Sequence, residues 1–217
     1  KYGVIYKGPE RVKRALKGAI RAADIQLKDD QIVMARVPKD SHCIYRYYSG
    51  INKVISRMWK NSSNTKATTM LYTIGKKVNP KGNPTEAGVK YLQNFLHKEI
   101  GMTDSTLVVH DGCGLCTHNH LSAEALVRIL DYGYHDKEIF DYLWRYLAIS
   151  GVDGTLARFG YELRGKVHAK TGTLSHPYGI SSLAGYCKAQ NGHLLAFAIM
   201  DSEMSVLDAH VLQRKIS

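Results

Sequence analysis

The sequence has no apolar run that is long enough to cross a membrane. Its longest uninterrupted apolar segment, Leu194–Met200, has seven residues, whereas a transmembrane helix needs about 20. The start of the chain also lacks an initiator methionine and the charged, apolar and small-residue regions of a signal peptide. We therefore expect no transmembrane helix, and we expect Lys1 to open either a processed chain or a piece of a longer protein.

Acidic residues are scarce relative to basic ones. The 217 residues include 19 Asp+Glu and 30 Lys+Arg, which gives a formal net charge of +11. Such an excess suggests an anionic partner, for example a nucleic acid, a membrane surface or an acidic polymer. The basic residues are spread along the chain, however, and the densest groups are only Arg11–Arg14 and Lys76-Lys77. Because no zinc-finger, RNA-recognition or helix-turn-helix pattern accompanies them, we predict a solvated basic surface and no nucleic-acid partner.

Proline is also rare, with 5 residues, beside 19 Gly, 44% hydrophobic residues and 23% charged residues. This composition is typical of globular proteins and excludes a collagen-like or wholly disordered chain. One large domain or two small ones fit the length, and either can bury a core.

Cysteine occurs only four times. Cys113 and Cys116 alone lie close together, in the segment Cys-Gly-Leu-Cys. This spacing leaves a redox pair or a local disulfide open. A zinc site that added His118 and His120 would crowd four ligands into eight residues, unlike the usual spacing of zinc ligands. We therefore predict no metal site, and two unreactive small residues are the favoured interpretation of the pair.

Hydrophobic periodicity and capping signals predict a series of helices. They cover Pro9–Ala23, a segment from Ser49 through Trp59, a segment from Asn61 to Ile74, a segment that starts at Pro84, and Ser122–Tyr132, Lys137–Ile149 and Ser205–Lys215. Ser49 is the predicted N-cap of the second helix. Asn83 and Glu86 form the pattern of a capping box before the fourth helix.

Short strands are predicted between and after these helices. They cover Ile25–Leu27, Gln31–Val37, Thr106–His110, Lys166–Leu174, Ser182–Ala189 and His193–Met200. The dipeptide Asn191-Gly192 predicts a type I′ turn between the last two strands. Because helices come first and antiparallel strands follow, the sequence indicates an α+β fold.

Two short motifs point to acyl-transfer chemistry. They are Ser62-Ser63-Asn64 and Lys170-Thr171-Gly172-Thr173, and their first residues lie 108 positions apart. Ser-x-Asn and Lys-Thr-Gly are two of the three signatures of penicillin-binding proteins and serine β-lactamases. Each tripeptide is a weak signal by itself, but their order and separation make the pair informative.

The sequence around these motifs extends the signal. Further matching segments are Met58–Asn61, Asp111–Cys116 with Asn119, Gly151–Leu156, Gly165–Ala169 and Leu183–Tyr186. This succession resembles the C-terminal part of the class C low-molecular-mass penicillin-binding proteins. That family comprises the D-alanyl-D-alanine carboxypeptidases/endopeptidases of peptidoglycan. The resemblance extends from about Gly8 to Met200 and is most specific from Ser49 onward.

The resemblance implies a penicillin-binding-protein/β-lactamase-like transpeptidase fold, in which helices flank an antiparallel sheet. It implies that residues 1–40 are the tail of an inserted accessory domain and that residues 41–217 are the C-terminal part of the penicillin-binding domain. The sequence departs from the family pattern at three positions. Ser63 stands where Asp is usual, and Cys113 and Cys116 stand where serines are usual.

The resemblance also implies roles for the residues of both motifs. Ser62 would relay a proton to the leaving group, and Asn64 would hold the substrate amide. Lys170 would place positive charge near Ser62 and near the terminal carboxylate of the substrate. Taken singly, these residues have simpler interpretations, because Ser62 could be a helix N-cap and Lys170 an exposed charge on a strand.

The remaining residues of the second motif would bind the substrate. Thr171 and Thr173 would offer hydroxyls to the terminal carboxylate, and the backbone N–H of Thr173 would be one oxyanion donor. Gly172 would let the substrate approach the strand edge, where a Cβ would stand in the way. A bulge is the simpler interpretation of Gly172. The mechanism needs no cofactor and no metal.

The third family signature, Ser-x-x-Lys, places the nucleophilic serine one helical turn before its lysine. Its one occurrence here is Ser63–Lys66, which overlaps the Ser-x-Asn motif. No second Ser-x-Asn triplet lies between it and Lys170, so we interpret Ser63–Lys66 as a coincidental match. The nucleophile is therefore expected outside this chain, in an upstream segment or a separate N-terminal fragment.

The leading hypothesis is a serine-type D-Ala-D-Ala carboxypeptidase/endopeptidase of the bacterial periplasm. It would act on peptidoglycan stem peptides and be acylated by β-lactam antibiotics. The alternative is a non-catalytic cell-wall binding or assembly module that retains the cleft. A third hypothesis uses Cys113 and Cys116 for redox or metal chemistry. Under the leading hypothesis, the excess of positive charge would face the anionic polymers of the cell wall.

Overall fold

The computed structural model describes residues 8–28, 30–33, 35–103, 107–175 and 179–216. The chain divides into two compact units, Lys1–Tyr48 and Ser49–Ser217. In the part of the chain that the structure describes, no helix is both long and apolar enough to span a bilayer.

Among its described residues, the first unit contains one helix, α1 (Gly8–Ala22). Glu10 lies in its first turn and Arg21 in its last, which suits the helix dipole. The predicted helix is confirmed. The strands predicted at Ile25–Leu27 and Gln31–Val37 are wrong for every residue that the structure describes there, while Met34 lies outside the described residues. A strand needs a neighbour that accepts its backbone hydrogen bonds, and the local pattern that predicted these two strands supplied none.

The second unit begins with helices and ends with a sheet. Its elements are α2 (Ile51–Lys60), α3 (Asn64–Val78), α4 (Pro84–Lys98), α5 (Ala123–His135), α6 (Lys137–Tyr146), β1 (Ala148–Ile149), β2 (Val167–Leu174), β3 (Ile180–Lys188), β4 (Leu194–Asp201) and α7 (Val206–Ile216). Short 3-10 helices lie at Gly154–Leu156 and Tyr161–Leu163. The predicted α+β class is confirmed.

Local capping signals account for several helix starts. The Asn83 side chain accepts hydrogen bonds from the N–H groups of Thr85 and Glu86, and its own amide donates to the Glu86 carboxylate. Ser122 Oγ accepts from the Ala125 N–H at 3.1 Å. Both predicted caps are confirmed. The predicted Ser49 cap is wrong, because Gly50 is the N-cap of α2 and makes no side-chain bond.

Two boundaries differ from the sequence-based prediction. The helix predicted over Lys137–Ile149 ends at Tyr146, because Ala148 and Ile149 pair with β2 as the short strand β1. The strand predicted at Thr106–His110 is reduced to a single bridge between Val108 and His120, and Thr106 lies outside the described residues. In both cases tertiary pairing decides the outcome.

The four strands form an antiparallel sheet in the order β1-β2-β3-β4. The register places Lys170 opposite Ala184 and Gly172 opposite Ser182. Strand β1 pairs only with His168 and Ala169 of β2. From Lys170 onward, no strand of the described chain pairs with β2 on that side, so this stretch of β2 is a free edge.

The hairpin between β3 and β4 is confirmed, but its turn type was predicted wrongly. A type I′ turn needs a positive φ at both central residues. In this turn Gly192 has a φ of 84°, and Asn191 is not among the non-glycine residues of positive φ in the described chain. The Ala189 N–H donates to the His193 carbonyl, and the Gly192 N–H donates to the Ala189 carbonyl. This is the three-residue type I loop in which glycine takes the left-handed position.

The sheet separates two apolar clusters, because side chains alternate between its faces. One cluster contains Leu130, Leu147 and Tyr186, and it packs against α5 and α6. The other contains Val167, Ala169 and Leu183, together with residues of the 3-10 segments. The first half of β2 contacts both layers, because Val167 and Ala169 belong to the second cluster while the His168 ring stacks on Trp144 of α6 at 3.7 Å.

Candidate active site

Ser62 lies at the junction of α2 and α3, in a strained backbone conformation. Its φ is 51°, in the left-handed region. It follows Asn61, the C-cap of α2, at the position where helices usually place glycine. The next residue, Ser63, donates its N–H back to the Arg57 carbonyl at 3.2 Å and so closes the end of α2. A left-handed non-glycine residue costs about 1–2 kcal/mol, and such strain concentrates at functional sites.

The structure brings together the two sequence motifs. Lys170 Nζ donates a hydrogen bond to Ser62 Oγ at 2.7 Å, across 108 residues of sequence. The same amine donates to the carbonyl of Thr171. Because Ser62 Oγ accepts from the lysine, its own O–H remains available to donate elsewhere.

Lys170 is mostly withdrawn from solvent. Burial disfavours its charged form and lowers the pKa of Lys170 to about 8. An ordinary lysine stays charged at neutral pH, whereas an amine with this pKa exchanges protons readily there. The Lys170–Ser62 pair can therefore both accept and donate a proton.

The free edge of β2 presents backbone groups beside this pair. Within an antiparallel sheet, alternate residues direct their N–H and C=O groups to the same neighbour. The Val167 carbonyl accepts from the N–H of Ser150, directly after β1. Because Thr171 and Thr173 have the same parity as Val167 in an unbroken register, their backbone groups point to that side, where β1 has ended.

Thr155 contacts the second motif and was missed by sequence reasoning. The Thr171 Oγ1 donates to Thr155 Oγ1 at 2.9 Å. Thr155 lies in the 3-10 helix Gly154–Leu156. The sequence signal was the segment Gly151–Leu156, which carries part of the family resemblance but offered no chemical role for a single threonine.

An ion pair holds this 3-10 helix against α2. Lys60 Nζ donates to Asp153 Oδ2, and Asp153 Oδ1 accepts from the Ile149 N–H at 3.0 Å. Gly154 has a φ of 59°, and a Cβ there would lie 2.5 Å from the Lys60 carbonyl oxygen. The end of α2 is thus tied to the segment that carries Thr155.

Gly172 has an internal packing role. Its ideal Cβ would lie 2.4 Å from Ser182 Oγ on the neighbouring strand. The packing of β2 on β3 therefore requires glycine at position 172, and this requirement is separate from the predicted role of Gly172 in substrate approach. Thr173, one residue on, is exposed at the free edge.

Asn64 opens α3 as its first residue, and its side chain is exposed. Ser63 is the N-cap of α3, and Lys66 lies in the first turn. Among the described residues, no hydrogen bond joins the Ser63 hydroxyl to the Lys66 amine or to Lys170. The structure therefore pairs Ser62, and not Ser63, with the lysine of the second motif.

The loop after Val109 supports α3. Asp111 accepts hydrogen bonds from the N–H groups of Gly114 and Cys116, each at 2.7 Å, and from the Asn119 side chain at 3.2 Å. Burial acts to raise the pKa of Asp111, but these hydrogen bonds outweigh it and hold the pKa below its ordinary value. A Cβ on the neighbouring Gly112 would lie 2.8 Å from Leu71 Cβ of α3, so the loop packs closely on that helix.

The four cysteines are free thiols in the structure. Across the ranges that the structure describes, no group of three or more His, Cys, Asp or Glu side chains converges to hold a metal ion.

Comparison with known proteins gives a family for the chain. Residues 6–216 match the model of the D-Ala-D-Ala carboxypeptidase 3 (S13) family. The D-alanyl-D-alanine carboxypeptidase DacB of Haemophilus influenzae is 24% identical over 172 residues, which cover 77% of this chain and 35% of that protein. A D-alanyl-D-alanine carboxypeptidase of Actinomadura sp. is 31% identical over 160 residues, which cover 70% of this chain and 28% of that protein.

Solved structures share the fold. Penicillin binding protein 4 of H. influenzae, in complex with a β-lactam, aligns with a TM-score of 0.76 at 20% identity, over 98% of this chain and 51% of that one. The TLA-1 extended-spectrum β-lactamase aligns with a TM-score of 0.53 at 15% identity, over 77% of this chain and 64% of that one. The predicted penicillin-binding-protein/β-lactamase-like fold is confirmed.

The chain spans about a third of the length of these two carboxypeptidases and about half of the penicillin-binding protein chain. The family match nevertheless covers nearly all of its 217 residues. The chain therefore belongs to the D-Ala-D-Ala carboxypeptidase 3 (S13) family.

Proposed function

We propose that the chain forms the proton-relay and carboxylate-binding half of a serine-type D-Ala-D-Ala carboxypeptidase/endopeptidase. The observation that carries this proposal is the 2.7 Å hydrogen bond from Lys170 Nζ to Ser62 Oγ beside the free edge of β2. A strained serine, a lysine of lowered pKa and a strand edge that has no partner in the described chain lie together here. Together they fit acyl transfer to and from a peptide.

In this function Ser62 carries the proton to the leaving D-alanine. Lys170 donates to Ser62 Oγ, so the Ser62 O–H points toward the leaving nitrogen and is replenished from the lysine. A lysine with a pKa of about 8 performs this transfer with little thermodynamic cost near neutral pH. Asn64, the first residue of α3, holds the substrate amide.

The free edge of β2 binds the substrate as an added strand. The Thr173 N–H stabilises the oxyanion, because it points away from β3 and donates to no strand partner on that side among the described residues. Thr171 and Thr173 share one side of the strand, so both hydroxyls can reach the terminal carboxylate. When substrate binds, the Thr171 O–H turns from Thr155 Oγ1 to the carboxylate, and Thr171 Oγ1 accepts from the Thr155 hydroxyl instead. Lys170 adds its positive charge to the same carboxylate.

The nucleophile comes from outside these 217 residues in this proposal, since Ser63 and Lys66 are not joined within the described chain. Residues 1–40 then correspond to the tail of an inserted accessory domain. The natural substrates are peptidoglycan stem peptides, with β-lactams as acylating analogues, and the site of action is the bacterial periplasm. The net charge of +11 favours binding to the anionic cell wall.

A fluorescent penicillin tests the proposal in two steps. The chain alone should give no covalent adduct by mass spectrometry, and a stoichiometric adduct on Ser63 would contradict the assignment of the nucleophile. The chain supplied with its upstream Ser-x-x-Lys segment should form the adduct and release D-alanine from an acylated peptide that ends in D-Ala-D-Ala.

The matched variants are Ser62→Ala and Lys170→Ala, each of which should lower D-alanine release by about 10²-fold or more. Thr69→Ala is the control, because within the described chain its hydroxyl bonds only to the Thr65 carbonyl, on the exposed face of α3. Binding to peptidoglycan without adduct or release in the complete protein would instead favour the non-catalytic module. The replacement of two family serines by Cys113 and Cys116 is the observation in favour of that second candidate.

A further inference from the structure

Cys113, through its thiol, and Cys116, through its backbone N–H, contact the same carboxylate oxygen of Asp111. Cys113 Sγ lies 3.7 Å from Asp111 Oδ2, and the Cys116 N–H donates to that same oxygen at 2.7 Å. The N–H groups of Gly114 and Leu115 also bond to this carboxylate, at 2.7 and 3.0 Å. The loop is therefore wrapped around Asp111, and Gly114 takes the left-handed position in it, with a φ of 75°.

A base lies beside one of the two thiols. Cys116 Sγ is 3.9 Å from His118 Nδ1. The thiolate is the nucleophile in disulfide chemistry, and a neighbouring imidazole accepts the proton that its formation releases. Cys116 is partly exposed and so within reach of a small reagent.

The other two cysteines have different surroundings. Cys187 packs against the apolar cluster of Val167, Ala169 and Leu183, and burial raises the pKa of the Cys187 thiol. Cys43 is exposed, and its Sγ donates to the Tyr45 carbonyl. Neither is arranged with a second cysteine among the described residues.

We propose that Cys113 and Cys116 are a redox-active dithiol that closes reversibly to a disulfide, with Cys116 as the attacking thiol. This inference is independent of the proposed function. It differs from a metal site, because across the described ranges no group of three or more His, Cys, Asp or Glu side chains is arranged to hold a metal ion.

The oxidant is an external low-molecular-weight disulfide, RSSR. Cys116 gives its proton to His118 and attacks one sulfur of RSSR, which forms a mixed disulfide and releases one thiolate, RS⁻. Cys113 then loses its proton to solvent and attacks the Cys116 sulfur, which releases the second RS⁻. The two thiolates take up the two protons, so two cysteine thiols and one RSSR become one protein disulfide and two RSH, with two electrons transferred.

Formation of the disulfide would stiffen the loop that packs against α3. Gly112, next to Cys113, packs on Leu71 and on the Ala67 carbonyl of that helix. On the other side the loop ends in the Val108–His120 bridge. The disulfide would add a covalent link between residues 113 and 116 to the hydrogen bonds that Asp111 and Asn119 already make within the loop.

The test uses the full 217-residue chain, reduced and then equilibrated in glutathione buffers of stepped oxidised-to-reduced ratio. Samples are quenched with acid and alkylated, and the tryptic peptide Glu99–Arg128, which contains both cysteines, is weighed. We expect both alkylation sites to disappear together, with the loss of two hydrogen atoms. Glutathione accumulating on both cysteines, or both remaining alkylated when Cys43 has been fully modified, would overturn the proposal.

Variants test the two roles. In Cys113→Ser a glutathione adduct should accumulate on Cys116, whereas in Cys116→Ser the first reaction should be slow; the reverse order would contradict the assignment. His118→Gln should slow oxidation about tenfold without changing the final ratio of disulfide to dithiol. The matched control is His110→Gln, because the His110 ring lies edge-on to that of His118 and no hydrogen bond joins it to either thiol within the described chain.

Metal binding is tested with Zn²⁺ alone. We expect added Zn²⁺ not to protect the two thiols from alkylation in the reduced chain. Stoichiometric protection that is lost in both serine variants would replace the disulfide by a metal site and overturn the proposal.

Discussion

Gly172 and Ser182 face each other across β2 and β3 so closely that a Cβ on Gly172 would lie 2.4 Å from Ser182 Oγ. Packing against Ser182 within the sheet is therefore one reason why position 172 needs a glycine. The proposed function gives it a second cause, because the same residue lies on the free edge where the substrate would pair. These two causes make different predictions for the same variants.

Gly172→Ala should destabilise the chain, by about 1–3 kcal/mol, because the new methyl group overlaps Ser182 Oγ. The double variant Gly172→Ala/Ser182→Ala should recover most of that loss, since the next Ser182 atom, Cβ, lies at an ordinary 3.8 Å. Urea unfolding of the wild type, both single variants and the double variant measures the coupling.

Measurements of activity separate the proposed role of Gly172 in substrate approach from its role in sheet packing. If Gly172 also serves substrate approach, the stable double variant in the complete enzyme should still release D-alanine much more slowly than Ser182→Ala. Full recovery of activity together with stability would assign Gly172 to sheet packing alone.

Replacing Ser62 by Gly or by Ala isolates the strain at the α2–α3 junction. Both variants remove the hydroxyl that accepts from Lys170. Only Gly adopts a φ of 51° without cost, so Ser62→Gly should be more stable than Ser62→Ala by about 1–2 kcal/mol. Thermal or urea unfolding measures this difference.

Activity should not follow stability in this pair. Neither variant can relay a proton, so both should be equally poor catalysts in the complete enzyme. Equal stabilities would show that the junction relaxes and that Ser62 is not strained, while an active Ser62→Gly enzyme would remove Ser62 from the proton path.

The features that the sequence predicted correctly are those with local causes. The Asn83 and Ser122 caps each depend on a few neighbouring residues and lie where they were predicted, and the turn at Gly192 lies at its predicted place although its type differs. The strand predicted at Gln31–Val37 failed because a strand is stabilised by a partner that the local pattern does not specify.

The candidate site shows the same division between features with local causes and features that depend on distant segments. Ser62 and Lys170 were identified from short motifs, because each motif is a local pattern. The contact of Thr171 with Thr155, and that of Gly172 with Ser182, depend on how distant segments fold together. A threonine in a 3-10 helix and a serine in a strand carry no pattern that would have singled them out.

Thr155 is expected to position Thr171 and not to take part in the chemistry. Thr155→Val removes the hydroxyl that accepts from Thr171 Oγ1, so in the complete enzyme KM for a D-Ala-D-Ala peptide should rise about threefold to tenfold with kcat nearly unchanged. Thr155→Ser keeps the hydroxyl and should behave as the wild type. A loss confined to kcat would contradict the positioning role.

The lowered pKa of Lys170 predicts a stability that rises with pH. Burial lowers its pKa to about 8 in the folded chain, whereas the unfolded chain has the ordinary value of 10.5. Below pH 8 the amine is charged in both states, and the folded state bears the full cost of burying that charge. Between pH 8 and 10.5 the unfolded state binds more protons, so the free energy of unfolding increases with pH over this window.

Lys170→Met is the matched control, because it keeps a long flexible side chain without a titrating group. Between pH 8 and pH 10 the wild type should gain about 2 kcal/mol relative to this variant in urea unfolding. The measurement stops at pH 10, because burial raises the pKa of Tyr186 to about 12 and its own contribution to stability falls once the unfolded tyrosine ionises. Parallel pH profiles for the two proteins would mean that Lys170 titrates as an ordinary lysine, and the proton relay through Ser62 would then lose its energetic basis.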